Sequence, residues 1–336
     1  MARLAPLSFT TLPVCINKLD RRAQTVSRDF VHEWKYASRN GVPRRWSSLS
    51  GCSPVGHWAM LQFPECPPEY LDILTKMHDY TLIDDDLLDP SSSLEEFVLK
   101  DTDSMSGQLS RDPNYRELQI SLAFEVMEIC HDVDAPSVWQ EIKSACTELW
   151  RARANSIQRC ATLDEYLAAR YTHFGMHGGD AIISLILGLS PTAEEKKSVE
   201  HIVQPLRKAT MLANDYFSYS KEKRNEERDA RPLVNAVSVV MAEHNVSEDE
   251  ALVRLREKIL ELEKAHTAAF ESLDDGIPVD LRRYLVAVRD TVAGFHVWAS
   301  CTPRYHGTGF DSSKIDVEVG GWVTKTWGWI TTSLGF

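Results

Sequence analysis

Residues 84–89 read Asp-Asp-Asp-Leu-Leu-Asp. On a helix Asp85 and Asp89 stand four apart on one face, with Asp86 about 100° round the axis. Like charges at that spacing weaken a helix, so they need a divalent cation, a basic partner or plain solvation. Mg²⁺ suits one or two carboxylates shared with phosphate oxygens. A solvated acidic helix end or a loose calcium loop would look the same. Residues 214–222 read Asn-Asp-Tyr-Phe-Ser-Tyr-Ser-Lys-Glu. Asn214, Ser218 and Glu222 fall in one axial stripe that offers an amide oxygen, a hydroxyl and a carboxylate, a ligand set for a hard cation. An exposed polar helix face would satisfy the same spacing, but the two groups together are a rarer coincidence.

Both groups need helices to aim them, and from about residue 67 onward the apolar residues recur at helical spacing. One helix follows Pro67-Pro68, carries Leu71, Ile73, Leu74, Met77 and Tyr80, and ends in the acidic run before Pro90. Others are expected at Arg116–Cys130, Ser137–Asn155 and Thr162–Phe174, the last opened by a capping box between Thr162 and Glu165. Gly175, Gly178 and Gly179 are expected to break the chain. Asp180–Leu189 is apolar all round and reads as buried. A helix from Ser190-Pro191 to about Glu222 is expected to kink at Pro205. Leu233–His244, Glu248–Leu273 and Leu281–Ala299 complete an all-α pattern, with 1–50 and 300–336 mixed.

Composition sets the class. With 336 residues, 43% hydrophobic and 26% charged, the chain can build a large core and shows no bias to disorder. No repeat or low-complexity linker divides it, so 1–336 reads as a single helical domain with a core at about 8–310 and a tail at 311–336. Thirty-seven Lys and Arg against 49 Asp and Glu give a net charge of −12. That field argues against nucleic acid, and an anionic ligand would need metal or a local cationic cluster. The seven cysteines show no metal-type spacing and read as reduced thiols. No apolar run reaches the roughly 20 residues of a membrane span. No signal peptide is evident, so a cytoplasmic location is expected.

Asp85-Asp86-x-x-Asp89 resembles the aspartate-rich motif of class I terpene synthases, and Asn214-Asp215-x-x-Ser218-x-x-Lys221-Glu222 resembles their second metal motif. Arg170 resembles the arginine that senses diphosphate, and Arg304-Tyr305 the pair near the family's C-terminus. The likeness is nearest to the cyclase domain of fungal chimeric di- and sesterterpene synthases of the fusicoccadiene and ophiobolin type. Ser8-Phe9-Thr10-Thr11, Pro64-Glu65-Cys66, Val234-Asn235-Ala236 and 281–285 also match, and the resemblance spans about 8–310. Two departures stand out. Asp84 is an extra aspartate, and the chain stops at Phe336 where the chimeras continue into a prenyltransferase domain.

The resemblance implies the class I terpenoid synthase bundle around a central apolar pocket. It implies three Mg²⁺ ions, held by Asp85, Asp89, Asn214, Ser218 and Glu222, that bridge an isoprenoid diphosphate. Arg170, Asn214, Lys221, Arg304 and Tyr305 would grip the diphosphate, and Asp86 joins the catalytic set. Tyr80, Leu82, Gly178, Tyr216, Phe217, Phe295 and Trp298 are the expected pocket, with a carbonyl freed at Gly178-Gly179 as a further dipole. His57, Trp58, Phe63 and Tyr219 are lesser candidates. Cyclisation of geranylgeranyl or geranylfarnesyl diphosphate is the expected reaction. Farnesyl diphosphate as substrate, or chain elongation of the prenyl diphosphate synthase kind, are alternatives. A helical scaffold that binds calcium or a basic partner would explain neither Arg170 nor Arg304-Tyr305. The chain is expected as a monomer or homodimer, alone or fused to a prenyltransferase.

Overall fold

The computed structural model describes residues 8–37, 50–87, 113–132, 136–153, 157, 160–229 and 233–307. Helix α1 (Asp20–Ala37) is followed by a short antiparallel ribbon of β1 (Cys52–Ser53) and β2 (Gly56–His57), in which Cys52 pairs with His57. Then come α2 (Trp58–Gln62), α3 (Leu71–Leu87), α4 (Pro113–Asp132), α5 (Pro136–Arg153), α6 (Leu163–Phe174) and α7 (Met176–Leu187). The rest is α8 (Ala193–Ser198), α9 (Glu200–Asp229), α10 (Ala236–His244), α11 (Glu248–Glu271), α12 (Val279–Cys301) and α13 (Pro303–His306). The fold is all-α apart from the ribbon, and no described helix is long and apolar enough to cross a membrane.

The helices begin where side chains can replace missing backbone partners. Ser247 caps α11 through the Glu250 amide, with Glu248, Asp249 and Glu250 in the first turn, where a helix N-terminus favours negative charge. Thr162 caps α6 at the Glu165 amide, but the Glu165 carboxylate accepts from the Ala161 amide rather than from Thr162, so only half of the expected capping box forms. A complete box forms between Thr192 and Glu195 at α8.

Three further expectations change. Gly175 alone breaks α6 from α7, at φ 80, a left-handed conformation suited to glycine. Gly178 and Gly179 lie inside α7, so the carbonyl expected to be freed there belongs to a helix. The cost of about 1 kcal/mol per helical glycine is offset by burial of Ala181, Ile183, Leu185 and Ile186 on the same helix. The stretch from Ser190 to Glu222 is two helices, parted at Val199, and α9 runs on through Pro205. Helix α1 arises in the region read as mixed; its polar outer face dilutes the apolar period that buries Ala23, Phe30 and Val31. The tail at 311–336 lies outside the described residues. All seven cysteines are free thiols.

Three buried clusters hold the helices together. One joins α3, α7, α9 and α12 through Leu71, Leu74, Ile186, Leu206 and Leu285. A second joins α6, α9, α10 and α11 through Tyr166, Leu212, Val237, Leu255 and Ile259. The third joins α3, α4 and α5. At their centre α12 presses directly on the backbone of α2: a Cβ on Gly294 would lie 2.1 Å from the Leu61 carbonyl oxygen. The N-terminal segment is pinned by Glu263 of α11, whose buried carboxylate accepts from the Thr10 hydroxyl (2.7 Å), the Thr11 amide (2.7 Å) and the Thr11 hydroxyl (2.9 Å).

Gly294→Ala has no flexible side chain to displace, only backbone. Its expected cost is about 3 kcal/mol or more, read as a lower urea midpoint at unchanged slope. A second prediction concerns His296, whose Nε2 accepts from the Phe9 amide (3.3 Å) and whose pKa burial pushes down to about 3. The unfolded chain binds this proton below about 6.5 and the folded chain does not, so stability is full above that pH and falls as pH drops beneath it. Between pH 7.5 and 5 the loss from His296 is roughly 2 kcal/mol. Denaturation at the two pH values checks it, and His296→Gln should flatten the dependence.

Candidate active site

Helix α9 supplies one wall of a cavity of about 480 Å³. Its residues 207, 210, 214, 218 and 221, spaced three and four apart, face the cavity, while Ala209, Leu212 and Ala213 bury the other side. Aliphatic and aromatic side chains from α3, α5, α7 and α12 line most of the remainder. Trp58 stacks on Trp298 with ring centroids 4.7 Å apart, and His78 meets Trp58 edge-on at 4.7 Å. Charged and polar groups gather at one end, where Arg170, Asn214, Ser218, Lys221, Glu222, Arg304 and Tyr305 all reach the same space.

The carboxylate of Asp215 organises that end. It is fully buried on α9 and accepts from the Tyr166 hydroxyl (2.6 Å), the Ala236 amide (3.0 Å) and Arg170 Nη2 (3.3 Å). Arg170 also donates to Asn214 Oδ1 (3.1 Å), and Asn214 Nδ2 donates to the Tyr305 hydroxyl (2.8 Å). Arg170, Asn214 and Tyr305 are thereby one bonded chain across α6, α9 and α13. The guanidinium of Arg170 lies 5.5 Å from the Phe174 ring.

Ser218 donates to Glu222 Oε1 (2.5 Å), and buried Asn235 donates to Glu222 Oε2 (2.9 Å) and to the Asp215 carbonyl (3.0 Å). The same Asn235 caps α10 through its Oδ1 and the Val237 amide. Burial, and then the charge of Asp215, push the Glu222 pKa up against these bonds. A divalent cation would relieve that cost, and the amide, hydroxyl and carboxylate oxygens of Asn214, Ser218 and Glu222 are the donor chemistry that Mg²⁺ takes. Among the described residues no three His, Cys, Asp or Glu side chains cluster for metal; the stripe itself carries one carboxylate beside an amide and a hydroxyl oxygen.

Of Asp85 and Asp86 the structure describes the helical backbone of α3, and Asp89 lies outside the described residues. Tyr80, Leu82, Gly178, Phe295 and Trp298 line the cavity, as do the lesser candidates Trp58 and Phe63. Tyr216 and Phe217 do not. They face away from it and pack on Phe9 at 5.2 and 5.8 Å, because the N-terminal segment covers that side of α9. Tyr219 is turned toward Glu248, and His57 is buried against Asp79 (3.2 Å). Sequence reasoning gave no role to Tyr166, Asp180, Arg207, Thr210 or His78. The signal for Arg207 and Thr210 was available, since they sit on the Asn214 face two turns and one turn earlier.

A family model described as terpene synthase family 2, C-terminal metal binding, matches residues 76–265, more than half of the chain. Sesterfisherol synthase of Neosartorya fischeri is 29% identical over 314 residues, which cover 89% of this chain and 40% of that protein. A sesterterpene synthase of Colletotrichum orbiculare is 29% identical over 315 residues, covering 89% and 43%. The chain thus spans about two fifths of the length of these curated relatives. The crystal structure of aristolochene synthase from Penicillium roqueforti superposes with a TM-score of 0.65 over 86% of this chain and 97% of that one, at 16% identity, a likeness of fold.

Asp215→Asn leaves the shape and removes the charge that holds Arg170. Breaking a buried pair costs about 3 kcal/mol or more, against about 2 kcal/mol for Tyr166→Phe, which removes one neutral donor from the charged carboxylate. Urea midpoints of the two variants should fall in that order.

Proposed function

The chain belongs to terpene synthase family 2, and from that membership we propose that it ionises a linear isoprenoid diphosphate and cyclises the resulting carbocation. The carrying observation is one continuous cavity, with a polar end that suits diphosphate and metal and an apolar body that suits a hydrocarbon chain. Arg170, Lys221, Arg304 and Tyr305 bind the diphosphate, and their charge is worth most as negative charge builds on the leaving oxygen. Asn235 and Asp215 position that set without touching substrate. Phe295, Trp298 and Trp58 keep water out and offer aromatic faces to the cation, each worth roughly 0.5–2 kcal/mol.

Mg²⁺, three ions with diphosphate bound, would supply Lewis-acid stabilisation of the leaving group when held by Asp85 and Asp89 on one side and Asn214, Ser218 and Glu222 on the other. Bound metal also answers the net charge of −12, which would otherwise repel the substrate. Geranylgeranyl or geranylfarnesyl diphosphate is the proposed substrate; the sesterterpene synthases among the relatives support the longer one. A prenyltransferase, fused or separate, must provide it.

Incubation with Mg²⁺ and each of farnesyl, geranylgeranyl and geranylfarnesyl diphosphate, followed by gas chromatography and mass spectrometry, tests the proposal. A cyclic product from one of the two longer substrates is expected, absent when EDTA is added. Longer linear diphosphates formed with the five-carbon co-substrate, and no cyclic product, would sink it. Glu222→Gln should cut diphosphate release by about 100-fold, with partial recovery at high Mg²⁺.

A further inference from the structure

Two turns before Asn214 on α9, about 10 Å along the helix axis, a second polar group interrupts the apolar wall. Arg207 pairs with Asp180 Oδ2 of α7 (2.5 Å) and donates to the Tyr171 hydroxyl (2.8 Å) and to both carboxylate oxygens of Glu200 (3.1 Å each). The Tyr284 hydroxyl donates to Asp180 Oδ1 (2.8 Å). Asp180 and Arg207 both line the cavity, and the carboxylate is the more open of the two, with 23% of its side chain exposed against 12% for Arg207. A pocket for hydrocarbon alone gains nothing from an ion pair in its wall, since a desolvated pair is often no more stable than apolar residues of the same volume.

The wall beside Asp180 gives the second observation. Gly178 and Gly179 stand in the same turn of α7 and line the same cavity. A Cβ on Gly179 would meet nothing within 4 Å, and one on Gly178 only the Ala145 Cβ at 3.7 Å, an ordinary contact. Neither residue has a positive φ. Packing and backbone geometry therefore require neither glycine, although glycine weakens a helix relative to alanine. Their effect is to leave the wall bare next to the carboxylate, where a ligand can come close to it.

Resting on the cyclase reading above, we infer that Asp180 takes the proton that ends the carbocation cascade, so that the released product is a cyclic alkene. The C–H bond next to the cationic carbon breaks, and its electron pair becomes the π bond of the alkene. The proton goes to an Asp180 oxygen and then to solvent as products leave. Among the described residues each of those oxygens accepts one donor and keeps a lone pair free. A proton beside a carbocation is acidic enough for a carboxylate in an ion pair to take it as general base. The pair serves the step in a second way. A lone carboxylate in an apolar wall is costly to keep charged, and Arg207 and Tyr284 offset that cost and fix its direction, which makes them positioning residues. The diphosphate, the other base open to the cation, would sit at the Arg170 end, so a cation formed near Asp180 has a nearer acceptor.

The test is turnover of geranylgeranyl and geranylfarnesyl diphosphate by the full chain with Mg²⁺, with the share of each product read by gas chromatography and mass spectrometry and diphosphate release assayed in parallel. The main product of the unaltered chain is expected to be a cyclic alkene. Asp180→Asn, nearly the same shape without the charge, should lower that alkene's share of all products roughly 100-fold, in favour of alkenes that lose a different proton and of alcohols formed with water. Asp180→Glu keeps the carboxylate and should restore most of the share. Tyr284→Phe releases Oδ1 but keeps the charge, and should lower the share only about fivefold. Shares of product do not depend on how much enzyme folds. Should Asp180→Asn give no folded enzyme, the double variant with Arg207→Gln, which leaves no unmatched guanidinium in the wall, replaces it with the same expectation. An unchanged share in the uncharged variant, a share that Asp180→Glu fails to restore, or an alcohol as the main product of the unaltered chain would each overturn the inference and leave the cyclase reading standing. No diphosphate release from either substrate would overturn both.

Discussion

The site hangs on one buried negative charge. Asp215 is enclosed on α9, and every donor it finds comes from outside that helix: Tyr166 and Arg170 from α6, the Ala236 amide from the start of α10. A charge so placed is stable only while all of its partners are present, so the packing of three helices becomes a condition for solvating a single carboxylate. Arg170 inherits its direction from that condition. With Asp215 holding it, its Nη2 also reaches Asn214, and Asn214 in turn fixes Tyr305. The order in which sequence positions matter therefore differs from the order in which they touch a substrate.

Asn235 does a related task at lower cost. Its Oδ1 begins α10 while its Nδ2 spans the Asp215 carbonyl and the Glu222 carboxylate. One neutral side chain thus couples the start of a helix to the orientation of a metal-type oxygen. Because Asn235 can serve both only if α10 begins where it does, the helix boundary and the stripe on α9 are mutually determined. The N-terminal segment adds a third tie, with Glu263 clamping Thr10 and Thr11 so that Phe9 covers Tyr216, Phe217 and His296.

These ties explain what could be read from the sequence. Helices with a strong apolar period and local caps, such as α11 behind Ser247, are written in short windows of sequence, and they were legible within a few residues. The stripe Asn214, Ser218, Glu222 was legible for the same reason, as a periodicity on one helix. What escaped depended on contacts between distant positions. Tyr216 and Phe217 were assigned to the pocket because aromatic residues beside a polar stripe carry no sign of which side they face; the answer lies in Phe9, about 200 residues earlier in the chain. Gly178 and Gly179 read as a break because propensity was counted without the burial of the helix that contains them.

The distribution of charge inside the cavity follows from the same logic. At one end Arg170, Lys221 and Arg304 line the cavity together with Asn214, Ser218 and Glu222, where a ligand with several charges can bind. At the other, the Arg207 charge is already matched by Asp180 and Glu200; burial pushes its pKa down, but Asp180, Tyr171, Tyr284 and Glu200 outweigh that and leave it raised. A matched pair cannot attract an ion strongly, but it projects a fixed dipole and spare lone pairs into an apolar space. The two ends are thus different in kind, one suited to bind a charged ligand and the other to offer a fixed acceptor. Helix α9 spans that asymmetry, since its single face carries Arg207 and Thr210 two turns and one turn before Asn214, and the metal-type oxygens at and after it.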